Sequence, residues 1–301
     1  MAKSVLPLNE EIYMRVGHLH PSKIVTGAFG STWLGGIKRR VVKQLYTHIA
    51  RAYPIPSWTT MNYGYAPLSG EIFPVGDDDA ERLGLNLYWR VATSGRLGTS
   101  FDGRDVAEIG SGRGGGAAFI AREMHPAKMT GLDIASAATS LAAERHQGIA
   151  NLHFATGDAE NLTLGDASVD VIINIESAHC YADVPRFLSE VSRVLKPGGE
   201  LLFAGFAARP GGAYARLISA LESAPGLKLT RLDDITANIV ASLQQDEVRK
   251  RAFIDAHVTG WFKSFAVGAY AMTGSAMRNA LEAGDTVYLA AVLSKPINRL
   301  V

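Results

Sequence analysis

Only one cysteine, Cys180, occurs in the 301 residues of this chain. An internal disulfide is therefore excluded, and a single thiol fits a reducing compartment. Long apolar runs are missing as well; none approaches the ~18 residues that a membrane-crossing helix needs. Neither sign of charge is in excess, since 30 Lys and Arg stand against 29 Asp and Glu. The basic residues are scattered, with no stripe or arm that would suit nucleic acid or an anionic membrane surface. The start of the chain has no apolar signal-peptide core, and Glu10 and Glu11 argue against a transit peptide, so a cytoplasmic protein is expected. Internal repeats and low-complexity tracts are absent. His18 and His20 form an H-x-H pair without matching ligands, and Asp77-Asp78-Asp79 reads as a helix N-terminal cap, so no metal site is expected. A chain of this length can still bury the core of one large domain, or of a domain with a lid.

What is present is organised around Val106-Ala107-Glu108-Ile109-Gly110-Ser111-Gly112-Arg113-Gly114-Gly115-Gly116. An apolar run reaches a carboxylate and passes at once into a glycine-dense turn. The helical pattern Ala117–Met124 follows. Strand, tight loop and helix in that order open a nucleotide-binding α/β unit. A Cβ in such a turn would hold the backbone away from a ligand, and free amides at the helix start could face it. The turn also satisfies G-x-G-x-x-G, so a dinucleotide is formally allowed. About 20 residues on, Met129-Thr130-Gly131-Leu132 ends in Asp133, the spacing of a carboxylate that grips a ribose diol. Then come Thr156-Gly157-Asp158-Ala159-Glu160-Asn161-Leu162, the buried-strand pattern Val169–Ile175, and the turn Leu195-Lys196-Pro197-Gly198-Gly199 leading into Glu200–Phe206.

Taken together, the E-x-G-x-G loop, the acidic end of the second strand, the G-D-A-E-N-L block and the L-K-P-G-G turn resemble the class I S-adenosylmethionine (SAM) dependent methyltransferases. The resemblance is dense from Asp105 to Phe206. It implies an α/β fold: a doubly wound, mostly parallel seven-stranded sheet with helices on both faces and an antiparallel last strand. It also implies SAM as cofactor and S-adenosylhomocysteine as product. Binding roles follow by resemblance. Gly110, Ser111, Gly112 and Gly114 would let the backbone approach the ligand. Glu108 and Asn174 would hold the methionyl ammonium. Asp133 would take the ribose hydroxyls, Ile134 would pack on the adenine, and Asp158 with the Ala159 amide would read its edge. Met61-Asn62-Tyr63-Gly64-Tyr65 is similar to a segment that folds over SAM in many small-molecule methyltransferases, which makes Tyr63 and Tyr65 cap residues whose rings suit a sulfonium cation. Asn86-Leu87-Tyr88 likewise places Tyr88 at the pocket.

Alternating elements are expected through the core: strands at 105–109, 128–133, 152–156, 169–175 and 200–206, with helices at 115–124, 135–146 and 184–194 between them. Right-handed crossovers bring the loops after the first four strands to one crevice. Residues 1–79 form a helical N-terminal cap segment in this reading. Within it, 37–49 is an amphipathic helix with its basic residues outward, and Tyr53–Ser57 breaks the pattern. Residues 80–301 form the methyltransferase core. It holds a helix at 80–93, a possible strand at 227–232, a helical lid at about 233–284, and a last strand at 286–293.

The catalytic candidate is His179, in the loop that leaves the fourth strand. A neutral imidazole there can take a hydroxyl proton as methylation proceeds, and Glu176 could orient it or act alone. Tyr181 is a pocket candidate; Cys180 is expected to be a buried thiol. The blocks Glu176-Ser177-Ala178-His179-Cys180-Tyr181, His125–Asp133 and Asn86-Leu87-Tyr88 look most like phthiotriolone-ketone-type O-methyltransferases and related natural-product enzymes. That similarity implies a hydrophobic small-molecule acceptor methylated at a hydroxyl. Methylation of an indole, amine or alkaloid precursor at nitrogen or carbon is the alternative. An NAD-dependent oxidoreductase and a non-catalytic SAM-binding protein are the remaining rivals. The sequence leaves the oligomeric state open, with a homodimer among the options.

Overall fold

The computed structural model describes residues 32–76, 79–260 and 262–297. His18 and His20, Asp77 and Asp78, and Glu10 and Glu11 lie outside the described residues. Among the described residues no helix is long and apolar enough to cross a membrane, and no cluster of three or more His, Cys, Asp or Glu could hold a metal ion.

Seven strands form one sheet in the order β3-β2-β1-β4-β5-β7-β6. The strands β1 (Asp105–Ile109), β2 (Lys128–Asp133), β3 (Leu152–Thr156) and β4 (Val169–Ile175) fall where the apolar runs place them. They pair in parallel with one another and with β5 (Leu195–Ala208). The last strand, β7 (Thr286–Ser294), runs antiparallel between β5 and β6 (Lys228–Asp234). β5 starts five residues earlier than expected. Its pairing with β4 jumps from Val169↔Leu195 to Val171↔Glu200, so the Pro197-Gly198-Gly199 turn survives as a bulge inside the strand.

Period-two alternation distributes the core. Along β1, Val106 enters the apolar layer beneath α2 (Arg82–Ala92) and α3 (Gly115–Glu123), while Ala107 and Ile109 enter the layer beneath α5 (Val184–Val194) and α6 (Ala213–Glu222). Glu108 shares the face of Val106. Pro in the first turn and Asp183, which accepts the Arg186 amide at 3.0 Å, start α5. Phe187, Leu188, Val191 and Val194 are its buried stripe. Leu195, expected to open the turn, begins β5.

The N-terminal and C-terminal helices meet over the carboxyl ends of the strands. α1 (Thr32–Ala52) puts Val42, Leu45 and Ile49 against Ile254, Val258 and Phe262. Those last residues belong to a run of short helices: α7 (Thr236–Gln245), α8 (Glu247–His257), α9 (Phe262–Ala269) and α10 (Ala276–Glu282). α4 (Ser136–Arg145) lies beside α1, with Ala138 packed near Ala50. The basic residues of α1 do not all face outward. Lys38 is buried and donates to the carbonyls of His179 (2.8 Å) and Tyr181 (3.0 Å), which ties this helix to the loop after β4.

Asp79, the described residue of the expected cap, does not cap the helix directly. Asp79 accepts the Glu81 amide at 2.8 Å, but Glu81 itself precedes α2, and its carboxylate turns to the Thr59 and Thr60 amides at 2.9 and 3.1 Å. One glycine in α3 is needed for close approach: a Cβ on Gly116 would lie inside the Tyr88 ring.

Candidate active-site crevice

The crevice opens where strand order reverses between β1 and β4, the place at which open α/β sheets bind ligands. It is open to solvent, and the empty space in it, mouth included, is about 910 Å³. The turn after β1 supplies Gly110, Ser111 and Gly112; the end of β2 supplies Asp133 and Ile134. Asp158 and Ala159 come from the loop after β3, and Glu176, Ser177 and Tyr181 from the loop after β4. Tyr88 reaches in from α2. These expected residues are therefore brought together. Arg39, Val42 and Tyr46 of α1, with Thr59 and Met61, complete the wall and were not read as site residues.

The glycine turn is held through its backbone amides, mostly by partners outside the turn. Gly110 and Ser111 donate to the Leu132 carbonyl at 2.7 and 2.9 Å, Gly112 to Asp133 Oδ2 at 2.9 Å, Gly114 to the Ser111 carbonyl at 2.9 Å and Gly115 to the Thr59 carbonyl at 3.2 Å. These five amides, expected to be free for a ligand, are thus already satisfied. A Cβ on Gly112 would meet nothing within 4 Å, but one on Gly114 would strike Phe154 and Ala142. Gly114 serves helix packing and does not line the crevice.

Glu108 lies deeper than expected. It is fully buried below the turn, accepts the Tyr88 hydroxyl at 2.6 Å and does not line the crevice. Burial pushes its carboxyl up to about 8, against the pull of the Tyr88 bond. The folded state therefore keeps a proton that the unfolded state releases near pH 4.5. Stability falls as pH rises through the interval from 4.5 to 8, by up to about 1.4 kcal/mol per pH unit from this one group. Glu108→Gln keeps a side-chain amide for Tyr88 and has no proton to lose. Melting curves between pH 5 and 8 are expected to fall less steeply in the variant; parallel curves would contradict the assignment.

Asn174 is completely buried. Its amide nitrogen lies 2.9 Å from the Ile109 carbonyl and 2.8 Å from both Ser177 Oγ and the Tyr181 hydroxyl, while Oδ1 has no partner. It braces the floor of the crevice from beneath. Tyr65 is bound to Glu71 at 2.9 Å and tilted against Phe73, away from the crevice. Tyr63 lies stacked on Phe206, and its amide donates to Glu176 Oε1 at 2.7 Å. Met61 and Asn62 of the same segment line the crevice in their place.

Asp133 accepts two amides, Gly112 on Oδ2 and Ala135 on Oδ1 at 2.8 Å. Across the mouth, Arg39 lies 3.6 Å from Asp158 and 3.2 Å from the buried Glu160. Ser111 Oγ is buried on the crevice wall without a partner.

Glu176 and His179 occupy different environments. Glu176 lines the crevice with a backbone φ of 47°, an uncommon left-handed conformation for a side-chain-bearing residue. Its Oε1 is pinned by the Tyr63 amide and the Tyr288 hydroxyl at 2.8 Å. Burial raises its carboxyl to about 7, opposed by those two bonds and by Lys250. His179 stacks on Phe206 with centroids 4.7 Å apart, its Nδ1 is buried without a partner, and it is not part of the crevice wall. Burial and the nearby Lys38 ammonium push its imidazole down to about 4. The Cys180 thiol lies on the wall, 3.8 Å from the Tyr46 hydroxyl, and burial raises it to about 11, so it stays protonated at neutral pH.

Comparison with known proteins bears on what this crevice does. The profile of the family described as "Methyltransferase domain" matches residues 107–203. The chain is 33% identical over 251 residues to a phthiotriol/phenolphthiotriol dimycocerosates methyltransferase of Mycobacterium tuberculosis, covering 83% of this chain and 90% of that protein. It is also 33% identical over 211 residues to a fatty-acid O-methyltransferase of Mycolicibacterium smegmatis, covering 70% of this chain and 74% of the relative. Among solved structures, the [4+2]-cyclase SpnF superposes with a TM-score of 0.68 at 20% identity, over 86% of this chain and 97% of that one; at that identity the likeness concerns the fold alone.

Proposed function

The chain belongs to the class I SAM-dependent methyltransferases, and on that footing we propose that it methylates a hydroxyl of an apolar, lipid-like small molecule, with Glu176 as the proton acceptor. One relative is named for a triol and the other for O-methylation of a fatty acid. Both names favour oxygen as the accepting atom. Val42, Met61, Ile134 and Ile175 give the crevice apolar walls that suit such an acceptor.

The residues present fit SAM. Asp133, Asp158, Glu160 and Glu176 give the crevice an acidic lining, with Arg39 and the inward-tied Arg113 as its cations. Such a lining attracts a molecule carrying a sulfonium and an ammonium and opposes a dinucleotide's pyrophosphate. The unpartnered Ser111 hydroxyl and the open space over Gly112 are the features a ligand would complete. Asp133 would hold the ribose hydroxyls, Ile134 the adenine face, and Asp158 with Ala159 the adenine edge. When bound, SAM supplies an electrophilic methyl group, so the protein needs no nucleophile of its own.

The work left to the side chains is to position the acceptor and to receive its proton. The observation that carries the proposal is the environment of Glu176: on the wall, clamped through one oxygen, and titrating near neutrality. A base of that strength is half ionised at pH 7 and still holds a transferred proton well. His179, pushed down to about 4, is neutral at pH 7 but a far weaker base, and it packs on Phe206 outside the crevice wall. The pH dependence separates the two. The acid limb of kcat/KM is expected near 7 if Glu176 is the base and near 4 if His179 is.

A carboxylate acceptor is the second reading, favoured by the name of the fatty-acid relative; it has no proton to remove and would leave the reaction indifferent to Glu176. The test is a panel of long-chain alcohols, diols, fatty acids, phenols and indoles incubated with SAM. S-adenosylhomocysteine release and mass spectrometry of the products serve as readouts. Methyl ethers of the long-chain alcohols are the expected result. Methyl esters alone, or products methylated only at nitrogen or carbon, would overturn it.

A further inference from the structure

A second cavity lies behind the crevice wall; its empty space, open mouth included, is about 720 Å³. The segment from Trp58 to Asn62 separates the two spaces. Thr59 and Met61 face the crevice, Trp58 and Thr60 face the second cavity, and Asn62 borders both. Alternate side chains on opposite sides are what an extended segment produces.

Phe253 and Tyr270 join Trp58 as an aromatic wall, with Trp58 to Phe253 centroids 5.4 Å apart. The polar side is made by Glu81, Asp246, Arg249 and Lys250. Formal charge cancels among these four, but hydrogen-bonding capacity does not. Glu81 is occupied by the Thr59 amide, the Thr59 hydroxyl and the Thr60 amide. Asp246 takes a two-point contact from Arg249, Nε to Oδ1 and Nη2 to Oδ2, both at 2.5 Å.

The donors are the groups left with poor partners. Lys250 is only 5% exposed, yet its ammonium has contacts no closer than 3.4 Å to Asp246 and 3.5 Å to the Tyr63 carbonyl. The Trp58 indole N–H is buried and meets no acceptor at all. A buried ammonium with long contacts and a buried N–H without any are costly unless something accepts from them. Burial lowers the Lys250 ammonium from its ordinary value, which agrees with its incomplete solvation.

We propose that this second cavity is a binding site for an amphiphilic oxyanion, a carboxylate or phosphate head on an apolar body. The head accepts from Lys250 and the Trp58 indole N–H, and the body lies against Phe253 and Tyr270. The site is separate from the methyl-transfer crevice, and its occupancy can be read without turnover, so it stands or falls independently of the acceptor reading.

Binding of octanoate and octyl phosphate to the full chain is measured by calorimetry in the presence of S-adenosylhomocysteine, with octanol, octylammonium and inorganic phosphate as comparisons. The two octyl anions are expected to bind more tightly than all three comparisons. Lys250→Met is expected to weaken them about tenfold or more, the range for losing a charge-assisted hydrogen bond. Trp58→Phe keeps the ring and removes the N–H; a loss of roughly three- to tenfold is expected. Affinity for S-adenosylhomocysteine serves as the folding control, and if Lys250→Met does not fold, Trp58→Phe decides. Octanol or inorganic phosphate binding as tightly as octanoate would overturn the proposal. So would octanoate affinity that neither substitution changes, which would locate it in the crevice.

Discussion

Glu176→Gln is expected to lower kcat with a hydroxyl acceptor by about two to four orders of magnitude, the range for removing a general base. The substitution is nearly isosteric, and its side-chain oxygen can still accept from the Tyr63 amide and the Tyr288 hydroxyl, which hold Oε1 in place. What disappears is the ability to take a proton. SAM affinity should therefore change far less than kcat, and the acid limb near pH 7 should vanish from the kcat/KM profile. That limb arises because burial lifts the carboxyl to about 7, so the ionised fraction, and with it the rate, climbs as pH passes upward through that value. A cation in the crevice stabilises the ionised form, so the corresponding limb in kcat should lie lower. His179→Ala provides the contrast, with loss of a stacked ring against Phe206 and a smaller effect on kcat. Unchanged turnover in Glu176→Gln, with a large loss in His179→Ala, would reverse the assignment.

Asp133→Ala is expected to weaken SAM binding by roughly two to three orders of magnitude, since each charge-assisted hydrogen bond is worth about 1.5–3 kcal/mol. Two effects combine. The carboxylate lines the crevice, where it would take the ribose diol in the proposed reading. It also accepts the Gly112 and Ala135 amides at 2.9 and 2.8 Å, so it fixes the shape of the turn and the start of α4. Removing it leaves two backbone donors without their partner as well as the ligand without its acceptor. Asp133→Asn, which keeps an oxygen, should fall between the wild type and the alanine variant. Calorimetric titration with SAM and with S-adenosylhomocysteine is the measurement; equal affinities in all three proteins would remove Asp133 from the site.

The sheet was legible because its signals are local and repeated. β1 to β4 are short apolar runs bounded by turn residues, and the Gly110–Gly114 turn and the carboxylate at Asp133 sit at spacings that one fold family uses. The convergence of Ser111, Asp133, Asp158 and Glu176 on one crevice follows from strand order alone. The helical region after Asp234 was legible only as helical. Its division into α7 to α10 depends on where packing against α1 and β7 permits breaks.

Several side chains expected at the crevice lie away from its lining for one physical reason: direction. Glu108 sits two residues before the turn, but the pleat points it to the face covered by α2 and α3, where Tyr88 meets it. Tyr65 is two residues along from Tyr63, and both turn from the crevice while Met61 and Asn62 turn into it. Arg39 and Tyr46 escaped notice because an amphipathic helix reads the same whether its polar edge meets water or a distant site.

By itself the sequence determined the α/β architecture, the family, the cofactor and the loops that meet at the crevice, because each rests on residues close together in the chain. Only the tertiary structure shows the surroundings that set the proton affinity of Glu176 and His179. Whether Glu176 titrates near 7 and His179 near 4 depends on burial and on Tyr288 and Lys38, which lie more than a hundred residues away. Desolvation is a property of everything packed around a group, and the chain reveals that only once it has folded.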